Sequence, residues 1–273
     1  SRRTFRLGLL NTKRIEKSAF GDNIWKHVFS LEHNRIAKHI HNVDPTRQDE
    51  SIFAEAKQQC IAEYQSLIMY DWLPKFSGLD LFNTIVGKYS NISTQPQAKL
   101  SSTFAVVFPC VLALMKTNFG PVSHDADIYE VIAILQTIEA RMVGIYSDEQ
   151  GTGKICIDGF RLENALHLPS LKRIRKNLNI TSELVFESEK QRYRASPSLD
   201  PVSVGLLLGG LNERPYPGSN VGETFAHIIL RQFRDMRDTN DHWFESTHSE
   251  AFKNSLDEFS LTGFLRLVLD RPD

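Results

Sequence analysis

The run from Phe104 to Met115, Phe-Ala-Val-Val-Phe-Pro-Cys-Val-Leu-Ala-Leu-Met, carries no charged or amide side chain and limits the folds open to this chain. A helix that is apolar all round has to be covered all round, because water on any face forfeits the free energy of burial. The run is too short to span a bilayer and contains Pro109. We therefore expect residues 101–117 to form a buried helix bent at Pro109, with other elements packed about it. At 273 residues, 41% apolar and 24% charged, the chain has enough mass to supply that cover.

The cover reads as helical. Ile24, Val28, Leu31, Ile36 and Ile40 recur at near-helical spacing between Asp22 and Val43, with Asp22 placed to cap and Asp44-Pro45-Thr46 to terminate. A second helix is predicted from about Asp49 to Asp71, with Ile52, Phe53, Ala56, Cys60, Ile61, Tyr64, Leu67 and Ile68 as one stripe, stopping at Leu73-Pro74. Lys75 to Leu100 reads as a loop holding one short helix at most. Residues 126–146 predict a helix on Ile128, Ile132, Leu135, Ile138 and Met142; residues 147–154 predict a turn, 168–178 a basic amphipathic helix, and 182–200 a polar loop. Two more helices are expected: Val221 to Arg237, with Phe225, Ile228, Ile229, Phe233 and Met236 inward, and about Ser249 to Leu269. Extended runs are few, so the class is mainly α. Residues 1–21 read as an irregular basic lead-in and 22–273 as one domain.

Charge excludes some functions. A net charge of -1 gives no electrostatic reason to expect nucleic acid or an anionic membrane as partner. Ser1 to Leu10 is basic then apolar, but its apolar part is too brief for a signal peptide. Because position 1 is Ser, we expect residues upstream. Cys60, Cys110 and Cys156 have no CxxC spacing, which argues against a disulfide framework or a thiolate zinc site. Asn91-Ile-Ser and Asn179-Ile-Thr match the glycosylation acceptor pattern, a triplet short enough to recur by chance. Compartment stays open on these grounds.

Four blocks carry a resemblance. They are Ser30-Leu-Glu-His-Asn-Arg-Ile-Ala37; Asp49-Glu-Ser-Ile-Phe-Ala-Glu-Ala-Lys57 with Ile61-Ala-Glu-Tyr-Gln65 and Tyr70-Asp-Trp-Leu-Pro74; Leu208-Gly-Gly-Leu-Asn-Glu-Arg-Pro215 with Val221-Gly-Glu-Thr-Phe-Ala226; and Gln232-Phe-Arg-Asp-Met-Arg-Asp-Thr-Asn-Asp-His-Trp-Phe-Glu245. In order, and for the first two in spacing, they resemble the C-terminal half of the animal haem peroxidase domain, from about residue 12 to the end. The resemblance implies a helical haem-binding fold and an oxidoreductase ancestry in a family usually secreted or extracytoplasmic. The half that carries the distal Asp-His-Gly and the calcium loop has no counterpart in this sequence.

The resemblance also implies what has changed. In the family, the helix matching Ser102–Met115 reads roughly Phe-Ala-x-x-Ala-Phe-Arg-Phe-Gly-His-x-Leu. Aligned on Phe104-Ala105, the iron-ligating histidine falls on Ala113 and the arginine on Cys110, and no histidine occurs between His41 and His124. The distal Arg-x-x-Glu falls on Ile15 and Ser18, with Arg14 one position out of register; the asparagine that supports the proximal imidazole falls near Gly159, although Leu168-Pro169-Ser170 is kept. His227 and Leu269 stand where the family has cysteines. Cys110 remains a candidate thiolate ligand to haem, against its reading as a small buried hydrophobe. His33, His39 and His41 are read as solvated or capping rather than metal-binding. Gly151-Thr-Gly-Lys154 lacks the full phosphate-loop pattern. Arg161, Lys172, Arg173, Arg175 and Lys176 are read as a solvated basic face.

The expectation is a partial peroxidase-like fold, catalytically inactive, with no catalytic residue, no metal and no cofactor, and with a protein partner. The rivals are an active haem peroxidase using hydrogen peroxide and a cyclooxygenase-like dioxygenase. The second needs a tyrosine just before the histidine, and the nearest is Tyr89, far upstream.

Overall fold

The structure, a computed structural model, describes residues 24–89, 98–115, 152–186, 204–257 and 259–269. The expected lead-in, the Asp22 cap and the helix over 126–146 lie outside them. Among the described residues the fold is mainly α, as expected, and β structure is limited to two isolated bridges, Phe186 with Glu213 and Pro215 with Gly222. The chain, read above as one domain, divides into two compact units: residues 1–71, 119–137 and 247–273, and residues 72–118 and 138–246.

In the first unit α1 (Ile24–Val43) packs on α2 (Asp49–Ser66) through Ile36, Ala37, Ile40, Ile52 and Ala56. The apolar stripe expected on α2 merged two faces. Ile52, Ala56 and Ala62 are buried, but Phe53, Ile61 and Tyr64 are exposed. Both sets recur at helical spacing one residue apart, roughly 100° around the axis, so periodicity alone could not separate them. Nor does the helix stop at Leu73-Pro74. It passes through a π-helical turn, Leu67–Trp72, into α3 (Leu73–Ser77), so that Pro74 lies just past the place where the helical hydrogen-bond pattern shifts.

The helix expected over 249–269 is two. Ser249 caps α11 (Glu250–Ser255) by accepting from the Phe252 amide, and the chain then turns, burying Leu256, before α12 (Leu261–Leu269). Asp71 accepts from the Leu261 amide at 3.2 Å. Phe264 is fully buried and its ring lies 5.0 Å from that of Phe29 on α1.

The second unit holds α3, α4 (Leu79–Ile85), α5 (Ser102–Met115), α6 (Thr152–Ala165), α7 (Leu171–Asn177), α8 (Leu206–Asn212) and α9 (Glu223–Asp238), followed by α10 (Phe244–Thr247) at its edge. Two short helices, α3 and α4, therefore take up the first part of the stretch read as a loop from Lys75 onward. The turn expected over 147–154 is already helical from Thr152. α5 spans Pro109 but is not enclosed all round. Phe104, Val106, Val107, Cys110 and Val111 are buried, whereas Pro109 and Leu112 are exposed. Proline is tolerated on that side because the Ala105 carbonyl it leaves unpaired is only half-buried. α9 buries Phe225, Ile228 and Ile229 as expected, with Phe233 half-buried. Met236 is exposed, and Arg237, at 1% exposure, takes the inward place.

Candidate functional site

The helix at the ligand position, α5, packs most extensively on α6. Contact is close at Gly159: a Cβ there would stand 3.0 Å from Leu207 Cδ2 and 3.5 Å from the Val106 carbonyl oxygen. An asparagine side chain at that point would have to displace the Leu207 side chain. Cys110, buried on α5, is disulfide-bonded, while Cys60 is free. The expectation of free thiols is thus corrected at Cys110, and its sulfur carries no thiolate to offer a metal. Ala113 lies in the last turn of α5. Leu112, beside it on the same helix, points out at 38% exposure.

Around this pair the second unit is held by buried polar groups. Glu163 on α6, which sequence reading passed over, accepts from the amides of Leu206 at 2.5 Å and Leu207 at 3.2 Å. It therefore caps α8, whose preceding residue, Gly205, has no side chain with which to do so. A Cβ on Gly205 would lie 2.7 Å from Glu163 Oε1. The Gly209-Gly210 pair serves packing. A Cβ on Gly210 would meet Phe225 Cε1 at 2.0 Å, and one on Gly209 would meet Leu171 Cδ2 at 2.7 Å, so α8 approaches α7 and α9 as closely as backbone allows.

Arg175 corrects the reading of a solvated basic face. Lys172, Arg173 and Lys176 are exposed, and Arg161 is exposed and paired with Asp158 at 3.1 Å, but Arg175 is buried. It donates to Glu213, to Thr224 Oγ1 at 3.0 Å, and to the carbonyl and hydroxyl of Ser182, each at 2.8 Å. Glu213 also accepts from the amide and hydroxyl of Thr224. Burial pushes the Glu213 carboxyl up from its ordinary range, opposed by Thr224 and by the Arg175 charge. His227, one turn from Glu223, has its pKa lowered by burial.

Arg237 is the second buried cation. It donates to Asp238 at 2.7 Å and to the carbonyls of Gly87 at 2.8 Å, Val86 at 3.0 Å and Lys88 at 3.3 Å. Tyr89, the residue a dioxygenase reading would need near α5, instead sets its ring 5.8 Å from this guanidinium.

The histidines do not converge. His33 is buried with its ring 4.8 Å from Phe53, His39 is exposed and His41 half-buried, so the reading of a solvated His33 is corrected. Among the described residues no three histidine, cysteine or acidic side chains are grouped to hold a metal ion. In the first unit Glu32 pairs with Arg35, and Glu63 packs beside them with Oε2 unpartnered. Desolvation first, then the charge of Glu32 and a hydrogen bond with it, push the Glu63 carboxyl up to about 9. Burial likewise raises the Cys60 thiol.

The family model for animal haem peroxidases matches residues 17–146 and 161–272. The chain belongs to the animal haem peroxidase family. Peroxidase mlt-7 of Caenorhabditis elegans is 31% identical over 285 residues, 90% of this chain and 39% of that protein. Thyroid peroxidase of Rattus norvegicus is 24% identical, covering 88% of this chain and 32% of its own length. Peroxidase A of Dictyostelium discoideum shares the fold at a TM-score of 0.61 with 17% identity, over 89% of this chain and 54% of that structure. The chain therefore spans well under two thirds of these relatives. Set on the structure, the peroxidase-like blocks fall on packing and capping groups. Gly209, Gly210, Glu213, Gly222 and Thr224 fix α8 against α9, and Arg237 with Asp238 fixes the end of α9.

Proposed function

We propose that this chain is a peroxidase-homology domain that does not bind haem through α5 and acts by interaction with a protein partner. The observation that carries the reading is the ligand helix itself. Ala113 stands at the ligand position, no histidine lies between His41 and His124, and the one thiol on α5, Cys110, is in a disulfide. A haem iron needs a basic nitrogen, thiolate, thioether or phenolate on its axis, and neither Ala113 nor the disulfide-bonded Cys110 supplies one. Gly159 supports the same reading, because it has no side chain to steady an imidazole and a Cβ there would press on Leu207 Cδ2 of α8 at 3.0 Å. The residues at these positions do not fit haem, so no peroxidase step is derived for them.

An interaction role is supported by surface apolar groups among the described residues. Leu162 on α6 and Leu166, the residue after its end, are 38% and 43% exposed, and Leu208 on α8 is 40% exposed. Titration of the purified chain with haemin decides the cofactor question. We expect weak, non-saturating absorbance changes and no oxidation of guaiacol above free haemin. A stoichiometric histidine-type Soret band, lost on replacing a single histidine, would overturn the reading in favour of an active peroxidase.

A further inference from the structure

α7 ends in a Schellman motif, with the Ile180 amide donating to Arg175 O at 3.0 Å and the Asn179 amide to Lys176 O at 3.1 Å. Asn179 takes the left-handed position of that motif, with φ at 59°. Asparagine enters this region more readily than most residues, which accounts for Asn179 by itself. It does not account for Thr181. This threonine stands two residues on, across the non-proline Ile180, and is exposed. Neither the Asn179 side-chain carboxamide nor the Thr181 hydroxyl has a hydrogen-bond partner among the described residues, in contrast to the neighbouring Ser182, which binds both Arg175 and Glu223. Beside them opens a cleft of about 540 Å³ lined by Lys172, Lys176, Asn179, Thr181 and Ser182, so among the described residues a group attached to Asn179 has open space beside it.

A separate observation places the chain where such a group is added. The Cys110 disulfide persists only in an oxidising compartment, and in most cells that means the secretory lumen or the exterior. An asparagine in Asn-x-Thr that passes through that lumen is an acceptor for oligosaccharide.

We propose that Asn179 is an N-glycosylation site. The Asn179 Nδ2 forms a bond to the anomeric carbon of an oligosaccharide carried on a lipid pyrophosphate. The bond from that carbon to the pyrophosphate oxygen breaks, and Nδ2 loses one proton. The folded geometry leaves the product exposed, with its first sugar at the mouth of the cleft.

The test secretes the full chain from a eukaryotic host behind a cleavable signal peptide. It is then treated with peptide N-glycosidase in 18O-water, and the peptide containing residue 179 is weighed. The expected result is conversion of residue 179 to 18O-labelled Asp in most of the secreted protein. Labelling should vanish in Thr181→Ala, which leaves the left-handed residue untouched, and persist in Thr181→Ser. Recovery of residue 179 as unmodified Asn in the secreted wild-type protein overturns the proposal, as does labelling that survives in Thr181→Ala.

Discussion

Arg237 in the second unit is a guanidinium at 1% exposure whose donors end on Asp238 and three backbone carbonyls. Removing it strands a buried carboxylate and three acceptors, and losing one partner of a buried pair costs about 3–5 kcal/mol. Phe233, half-buried between Trp72, Phe104 and Phe108, should lose less on truncation, about 2–3 kcal/mol. Denaturant melts of Arg237→Ala and Phe233→Ala should therefore rank the arginine as the more damaging. Glu63 carries a prediction of the opposite sign. Its carboxyl titrates near 9 in the folded chain, well above the ordinary 4.5, so below about 4.5 it is protonated in both states and costs nothing. As pH rises from about 4.5 toward 9 the unfolded state releases the proton that the folded state keeps, and stability falls. Glu63→Gln, already neutral, should be more stable than wild type at pH 8, with a flatter dependence of stability on pH between 5 and 9. A wild-type profile that matches the variant's would show that Glu63 ionises normally.

At the scale of elements, glycine decides how closely helices approach. Gly210→Ala puts a Cβ 2.0 Å from a Phe225 ring carbon. The roughly 1 kcal/mol that alanine gains in helix propensity should be outweighed by overpacking of about 1–3 kcal/mol. Gly263 on α12 is exposed, and its added Cβ would meet only Ser260 Oγ at 3.3 Å, so Gly263→Ala should raise the melting temperature while Gly210→Ala lowers it. Legibility followed the same physics. α1, α9 and the start of α2 could be read because their apolar spacing and helix-ending residues are local. The π-helical turn at Leu67–Trp72, the break between α11 and α12 and the burial of Arg175 and Arg237 could not, because each depends on partners distant in sequence. Arg237 stands 149 to 151 residues from the carbonyls it binds. Glu163 as the cap of α8 left one trace in the sequence: Gly205, with no side chain to cap, precedes an apolar helix start.

At the scale of the whole molecule, the family blocks fall on residues that hold helices together, and on the reading proposed above the positions that have changed are those haem chemistry would need. A fold can be kept for its packing without the groups that stabilise developing charge in a transition state, because stability and catalysis rest on different residues. Restoring the ligand tests that separation. Ala113→His supplies one imidazole near the end of α5, but Gly159 offers no side chain to orient it, and the positions aligned with the distal arginine and glutamate are Ile15 and Ser18. The single variant should gain haem affinity at most, visible as a Soret shift on haemin titration, with guaiacol or iodide oxidation no faster than free haemin. Adding Gly159→Asn should not help, because the new side chain must displace Leu207 and disturb the contact between α6 and α8; the double variant should melt below Ala113→His alone. Peroxidase turnover well above free haemin in the single variant would mean that the chain kept the rest of the machinery, and the pseudoenzyme reading would fall.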